Sequence, residues 1–182
     1  MITLDGTLGI TTPSETNTGT LSVTGVTTLT GGFTVGATAA PAFSAYLAAT
    51  QNVTNATWTK ITFNTEIFDT NSNFDAATNY RFTPTVAGYY QINGAYAANS
   101  TATNPNQVNI AIYKNGSAYN YVYTAGSQVA LASVNISSVV YFNGSTDYVE
   151  FYAYMNTASG TPQVYQSGSI FTYASGAMIR SA

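Results

Sequence analysis

The sequence contains no cysteine and no histidine. Their absence excludes Cys–His and Ser–His nucleophilic catalysis, and the usual zinc and haem ligand sets. It also excludes disulfides, so cysteine usage marks no oxidising compartment. Charge is nearly as scarce. Only 6% of the 182 residues are Asp, Glu, Lys or Arg, and the net charge is −3. The four basic residues, Lys60, Arg81, Lys114 and Arg180, are scattered along the chain. A nucleic-acid binder neutralises phosphates with clustered Lys and Arg, so nucleic acid is not an expected partner. No apolar run approaches the roughly 20 residues a spanning helix needs, so membrane insertion is not expected. No basic-then-apolar segment at the start resembles a secretion signal. Soluble monomers normally keep apart by surface charge. A chain this neutral, with 14% aromatics, implies a surface largely covered by something else.

What the chain does contain changes near Pro41. All fifteen tyrosines follow it, and the only aromatic before it is Phe33. Residues 1–41 are rich in Thr and Gly. There, Gly6-Thr-Leu-Gly-Ile-Thr-Thr12 is echoed by Gly19-Thr-Leu-Ser-Val-Thr-Gly-Val-Thr-Thr28. Short β-branched runs punctuated by Gly suggest small strands and turns. Abundant Thr, Ser and Gly also fit a disordered linker. The strand-like spacing of Leu21, Val23, Phe33 and Val35 favours a β-stem. Such a thin segment has too few large apolar side chains to offset its backbone entropy alone, so a stem would have to intertwine with copies of itself.

Residues 42–182 read as all-β. Strands are predicted at Ala42–Leu47, Thr57–Asn64, Tyr80–Thr85, Tyr89–Ala97, Gln107–Tyr113, Tyr119–Thr124, Val129–Phe142, Asp147–Met155 and Ser169–Ile179. Asn115-Gly116 and Asn143-Gly144 mark tight turns. Tyr80–Ile92 reads as strand, turn, strand, with Pro84 ending the first strand and Gly88 supplying the turn. The second strand puts Tyr90, Ile92, Gly94 and Tyr96 on one face. Many short strands with frequent turns suggest a sandwich or jelly roll.

Several motifs sharpen this. Phe82-Thr83-x-x-Val86-x-Gly88-x-Tyr90-x-Ile92 resembles the central signature of the complement C1q globular head, one of the tumour-necrosis-factor-like jelly rolls. Phe74-Asp75 with Thr78 resembles that family's aromatic-Asp turn, one residue longer here. Val108–Gly116 resembles its strand ending in Lys-Asn-Gly. Asp147–Phe151 resembles its Asp-x-Val-x-Leu strand, and Tyr173–Ile179 its closing aromatic-Ser-Gly strand. Ala87 stands where the family has Pro, Ile92 replaces its last aromatic, and the loop before Asp147 is longer. The resemblance spans residues 42–182 and implies an antiparallel jelly-roll sandwich that packs as a homotrimer.

Four groups of residues are candidates for function. Val139-Val-Tyr-Phe142 is apolar on both faces. Val140 and Phe142, with Val134 and Ile136, would face the core, leaving Val139 and Tyr141 for a subunit interface or, alternatively, for a local loop that covers them. Tyr148, Tyr152 and Tyr154 share one face of a strand with Glu150, opposite Val149, Phe151 and Met155. They would form an outward stripe suited to sugar rings or host protein, or would be ordinary sheet decoration. Tyr119, Tyr121 and Tyr123 form a second stripe. Asp69, Asn71, Asn73 and Asp75 alternate like the first half of a calcium loop. Phe74 stands where such a loop has Gly and Tyr80 where it has Glu, so a plain Asx turn is the better reading. Glu66, Asp69, Asp75, Asp147 and Glu150 are the only carboxylate side chains after Pro41 that could form a glycosidase pair, and nothing else signals an enzyme. No cofactor is expected.

The expectation is a homotrimeric, non-enzymatic virion protein. Its stem, residues 1–41, would contact other virion proteins. Its head, residues 42–182, would present the loops Asn99–Gln107 and Thr157–Pro162 to a host-surface glycan or protein. A phage tail fibre or fibre tip leads. A capsid decoration or head fibre protein, and a bacterial surface adhesin or lectin, remain open.

Overall fold

The computed structural model describes residues 40–124, 131–167 and 170–182. All of the expected stem but Ala40 and Pro41 lies outside the described residues, as do the predicted strand starts at Val129 and Ser169. Among the described residues there is no helix. Thirteen strands among these residues form two antiparallel sheets. Sheet A contains β1 (Ala42–Tyr46), β2 (Gln51–Asn52), β4 (Thr65–Asp69), β7 (Ala87–Ser100), β10 (Ala132–Asn143), β12 (Pro162–Tyr165) and β13 (Tyr173–Ser181). Sheet B contains β3 (Thr59–Lys60), β5 (Phe74–Asp75), β6 (Arg81–Phe82), β8 (Gln107–Lys114), β9 (Ser117–Val122) and β11 (Val149–Asn156).

β7 organises sheet A. It pairs with β10 along one side, from Ala87 opposite Asn143 to Ala98 opposite Ala132. Its other side is shared end to end by β13 and β12. β1 and β4 extend the sheet beyond β13. In sheet B, β11 and β8 pair over eight residues, and β9 forms an edge.

The period-two pattern of β7 dictates the core. Tyr90, Ile92 and Tyr96 point between the sheets and are fully buried, as are Val140 and Phe142 from β10. Phe43 stacks on Phe74 and Phe82, with ring centroids 4.8 and 4.4 Å apart. Tyr90 meets Phe82 and Phe142 edge-on. Gly94 is small because Phe151 crosses it from sheet B. A Cβ there would sit 2.5 Å from the Phe151 ring. The Tyr96 hydroxyl crosses the core to the main-chain carbonyls of Asn109 (2.8 Å) and Tyr154 (3.2 Å), tying sheet A to sheet B. Burial raises the pKa of that phenol, so it remains a donor.

The expected strand-turn-strand unit at Tyr80–Ile92 is corrected. Phe82 pairs with Phe74 and Val149 in sheet B, whereas β7 runs in sheet A. The segment is a crossover between sheets. Pro84 ends pairing after Phe82, and Tyr90 donates back to the Val86 carbonyl at 2.8 Å to fix the corner. The strand expected at Thr57–Asn64 pairs only at Thr59–Lys60. β2, β4, β5 and β12 have no counterpart among the expected strands.

Candidate functional site

Three surfaces emerge. The first is the outer face of sheet A. Val139 is 47% exposed and Tyr141 42% exposed, on the side of β10 away from the core. Tyr141 lies directly opposite Tyr89, with ring centroids 5.3 Å apart. Farther across the face, Phe68 and Tyr173 are also exposed. Between these rings lies a shallow hollow of about 250 Å³, lined chiefly by Ala42, Phe68, Gln91, Asn93, Ser175 and Ala177. Gln91 and Asn93 are held in place through Ser137, which receives the Gln91 amide at 2.7 Å and donates to Asn93 at 2.9 Å. An antiparallel sheet normally turns a polar face to water. This one turns a hollow flanked by large rings.

The neighbouring edge is apolar as well. Every residue of β9 is exposed, including Tyr119, Tyr121 and Val122. Tyr119 donates its hydroxyl to the main-chain carbonyl of Val139 at 3.3 Å, linking the edges of the two sheets.

The second surface is the outer face of sheet B. Tyr148, Tyr152 and Tyr154 do point away from the core, but none stands bare. Arg81 lies over the Tyr148 ring at 4.3 Å. Tyr152 stacks on Tyr113 with centroids 4.0 Å apart. Tyr154 packs against Trp58 at 5.5 Å. Glu150, in the middle of the row, is buried and forms an ion pair with Lys60. Burial, and secondly the charge of Glu150, push the Tyr152 phenol up to about 12. The sequence reading missed Trp58, the only tryptophan in the chain. It lies just before β3, and its ring reaches Tyr113 and Tyr121 as well as Tyr154. The available signal was the spacing of Trp58 and Lys60, two residues apart, which matches Tyr154 and Tyr152 when the strands pair.

The third surface is formed by the two candidate contact loops, which the fold brings together. Thr101 and Thr103 donate their amides to the carbonyls of Thr161 and Ser159. The Thr103 and Thr157 hydroxyls meet at 2.9 Å. A shallow depression of about 390 Å³ lies there, lined by Ala102, Thr103, Asn104, Asn106 and Ala158.

The calcium candidate resolves into turn chemistry. Asp69 accepts the amides of Asn71 and Phe74, and Asn73 accepts the amide of Thr85. Asp75 accepts three successive amides, from Ala77, Thr78 and Asn79. These bonds, led by Thr78, pull its pKa from 3.8 to about 2. Two further motifs meet in space. Asp147 pairs with Lys114 at 2.9 Å and accepts the Asn115 side-chain amide at 2.8 Å. Asn115 and Gly116 both take positive φ in the turn between β8 and β9. The Asn115 bond, followed by Lys114, also lowers the pKa of Asp147.

A pH dependence follows. Both carboxylates titrate below their ordinary value of 3.8 in the folded state, so their contribution is full well above that value and is lost as pH falls through it, for Asp75 down to about 2. Thermal unfolding measured across this window should show stability level above it and falling within it. Asp75→Ala should cost about 1 kcal/mol at neutral pH and flatten the acid slope. An unchanged slope would show that Asp75 contributes nothing.

No family model matches the chain, and no curated protein matches it in sequence. Solved structures do resemble it. The globular domain of zebrafish complement 1qA protein is 16% identical, with a TM-score of 0.55, covering 78% of this chain and 99% of that one. Murine APRIL is 9% identical, with a TM-score of 0.54, covering 77% and 99%. The fold is therefore the jelly roll of the C1q and tumour-necrosis-factor-like proteins, as the sequence motifs implied.

Proposed function

We propose that this chain is a non-enzymatic structural and binding protein that works as a homotrimer, and that it is a phage tail fibre or fibre tip whose head engages a host surface. The observation that carries the trimer is the outer face of sheet A, where Val139, Tyr141, Tyr89, Phe68 and Tyr173 are exposed around a hollow. Its occupant is a second copy of the chain. The exposed edge β9, with Tyr119 and Val122, is a different apolar patch on the same molecule. Two unlike patches that fit each other make a head-to-tail contact, which closes into a ring or runs into a filament. The family resemblance implies closure at three.

Sparse charge supports the same reading, since a chain with 6% charged residues gains little protection from self-association. The virion context rests on the Thr/Gly-rich composition of residues 1–41, which resembles fibre stems. A stem would join the head to other virion proteins, and three heads would strengthen weak contacts by avidity. Four of the five carboxylates after Pro41, all but the exposed Glu66, are engaged, which argues against a catalytic acid pair. Glu150 is spent on Lys60, Asp147 on Lys114, and Asp69 and Asp75 on backbone amides.

Attachment tests the role. Particles whose heads carry Tyr152→Ala with Tyr154→Ala should adsorb to host cells at least about tenfold more slowly, with trimer mass unchanged. Because Tyr152 stacks on Tyr113, melting of this variant must be checked beside it. Unchanged adsorption with weakened shells would instead favour a capsid decoration protein. Adsorption should also change little with salt, since the surface offers few ion pairs to screen.

A further inference from the structure

We propose that the ring cluster centred on Trp58, on the outer face of sheet B, is a carbohydrate platform that takes the face of a neutral pyranose. This rests on the host-binding reading and adds the ligand class. Trp58 touches three tyrosines, with centroids 5.5 Å from Tyr154 and 6.4 Å from both Tyr113 and Tyr121, and Tyr113 stacks on Tyr152. The rings come from β8, β9, β11 and the residue before β3, so regular pairing fixes their spacing. A binding surface on paired strands is better held than one on loops.

The chemistry favours sugar. A pyranose has apolar C–H faces and a rim of hydroxyls. Aromatic rings cover the first, and phenol and indole groups hydrogen-bond the second. The Tyr152 phenol donates its proton to Glu150 at 3.4 Å, which leaves its oxygen as an acceptor for a sugar hydroxyl. The ligand is neutral because the charged side chains beside the rings are already engaged. Lys60 is paired with Glu150, and Arg81 lies on Tyr148. Size argues the same way. A stable protein partner usually covers about 800 Å² on each side, far more than a five-ring cluster presents, whereas one or two sugar rings match it. The half-buried Trp58 and the 61% exposed Tyr121 leave ring surface open to solvent.

Because Trp58 is the only tryptophan, its emission reports directly on the platform. The test titrates the full chain with methyl glycosides of glucose, galactose, mannose and N-acetylglucosamine, and with their short oligomers. At least one series should give a saturable change in emission that tightens with oligomer length. Tyr154→Ala and Tyr121→Ala should each weaken it about three- to tenfold. Tyr121 is exposed enough that its loss should leave the fold intact. No saturable change with any sugar overturns the proposal, as does equal binding by both variants. The host-binding reading fails separately, if particles lacking the head adsorb normally. Adsorption that needs the head while no sugar moves Trp58 emission would mean a protein receptor, and would sink this inference alone.

Discussion

Val139→Asp is expected to break the assembly into single chains. In the isolated head Val139 stands 47% exposed on the outer side of β10, so the substitution should leave the fold of one chain intact. In the proposed ring the same position is covered by a neighbour. Each copy would then bury a carboxylate beside Tyr141 and Tyr89, with β7 standing between it and Arg180 of β13. Lys114 is near the Tyr141 ring but is already bound to Asp147. An unpaired buried charge costs several kcal/mol, and here the cost recurs at each interface. Sedimentation should give a single-chain mass with circular dichroism retained. Val139→Asn should weaken the assembly less, because a buried amide costs less than a buried charge. If Val139→Asp still sediments as an oligomer, the face of β10 is not the interface.

Phe82→Ala is expected to have the largest effect on the fold itself. Phe82 is fully buried and packs on Phe43 at 4.4 Å, Tyr90 at 5.7 Å and Phe142 at 5.9 Å. It is the point where sheet B's β6 touches rings from β1, β7 and β10 of sheet A. Truncation removes the transfer energy of the ring and leaves a cavity that three rigid aromatics cannot close. Such changes cost about 3–5 kcal/mol, a large part of a domain's net stability. Chemical denaturation should show the midpoint falling sharply at an unchanged slope. A loss below about 1 kcal/mol would mean that the two sheets do not depend on this contact.

Local pattern carried much of this into the sequence. Alternation alone separated Val134, Ile136, Val140 and Phe142, all buried, from Val139 and Tyr141, both exposed. Asn115-Gly116 was legible as a tight turn and Asp147 as the start of a strand, and the structure joins them through a side-chain bond and an ion pair to Lys114. Partnership between distant strands was not legible. Pro84 says that a strand ends but not which sheet the next one enters, so the step from β6 to β7 was misread. β12 is four residues long and gains its place by pairing with Ala97–Ser100 and with β2, too short a run to register as periodic. Trp58 acquires its meaning from Tyr113, Tyr121 and Tyr154, all more than fifty residues away. The outward direction of Tyr148, Tyr152 and Tyr154 was readable, but not the rings and charges that cover them.

The trimer is the claim on which the rest depends, because it decides which faces are left for a partner. Light scattering on the purified full chain at micromolar concentration measures it directly. The expected mass is that of three chains, 3 × 19.1 kDa. A mass of 19.1 kDa would contradict the account and return the apolar face of sheet A to the list of surfaces open to another partner.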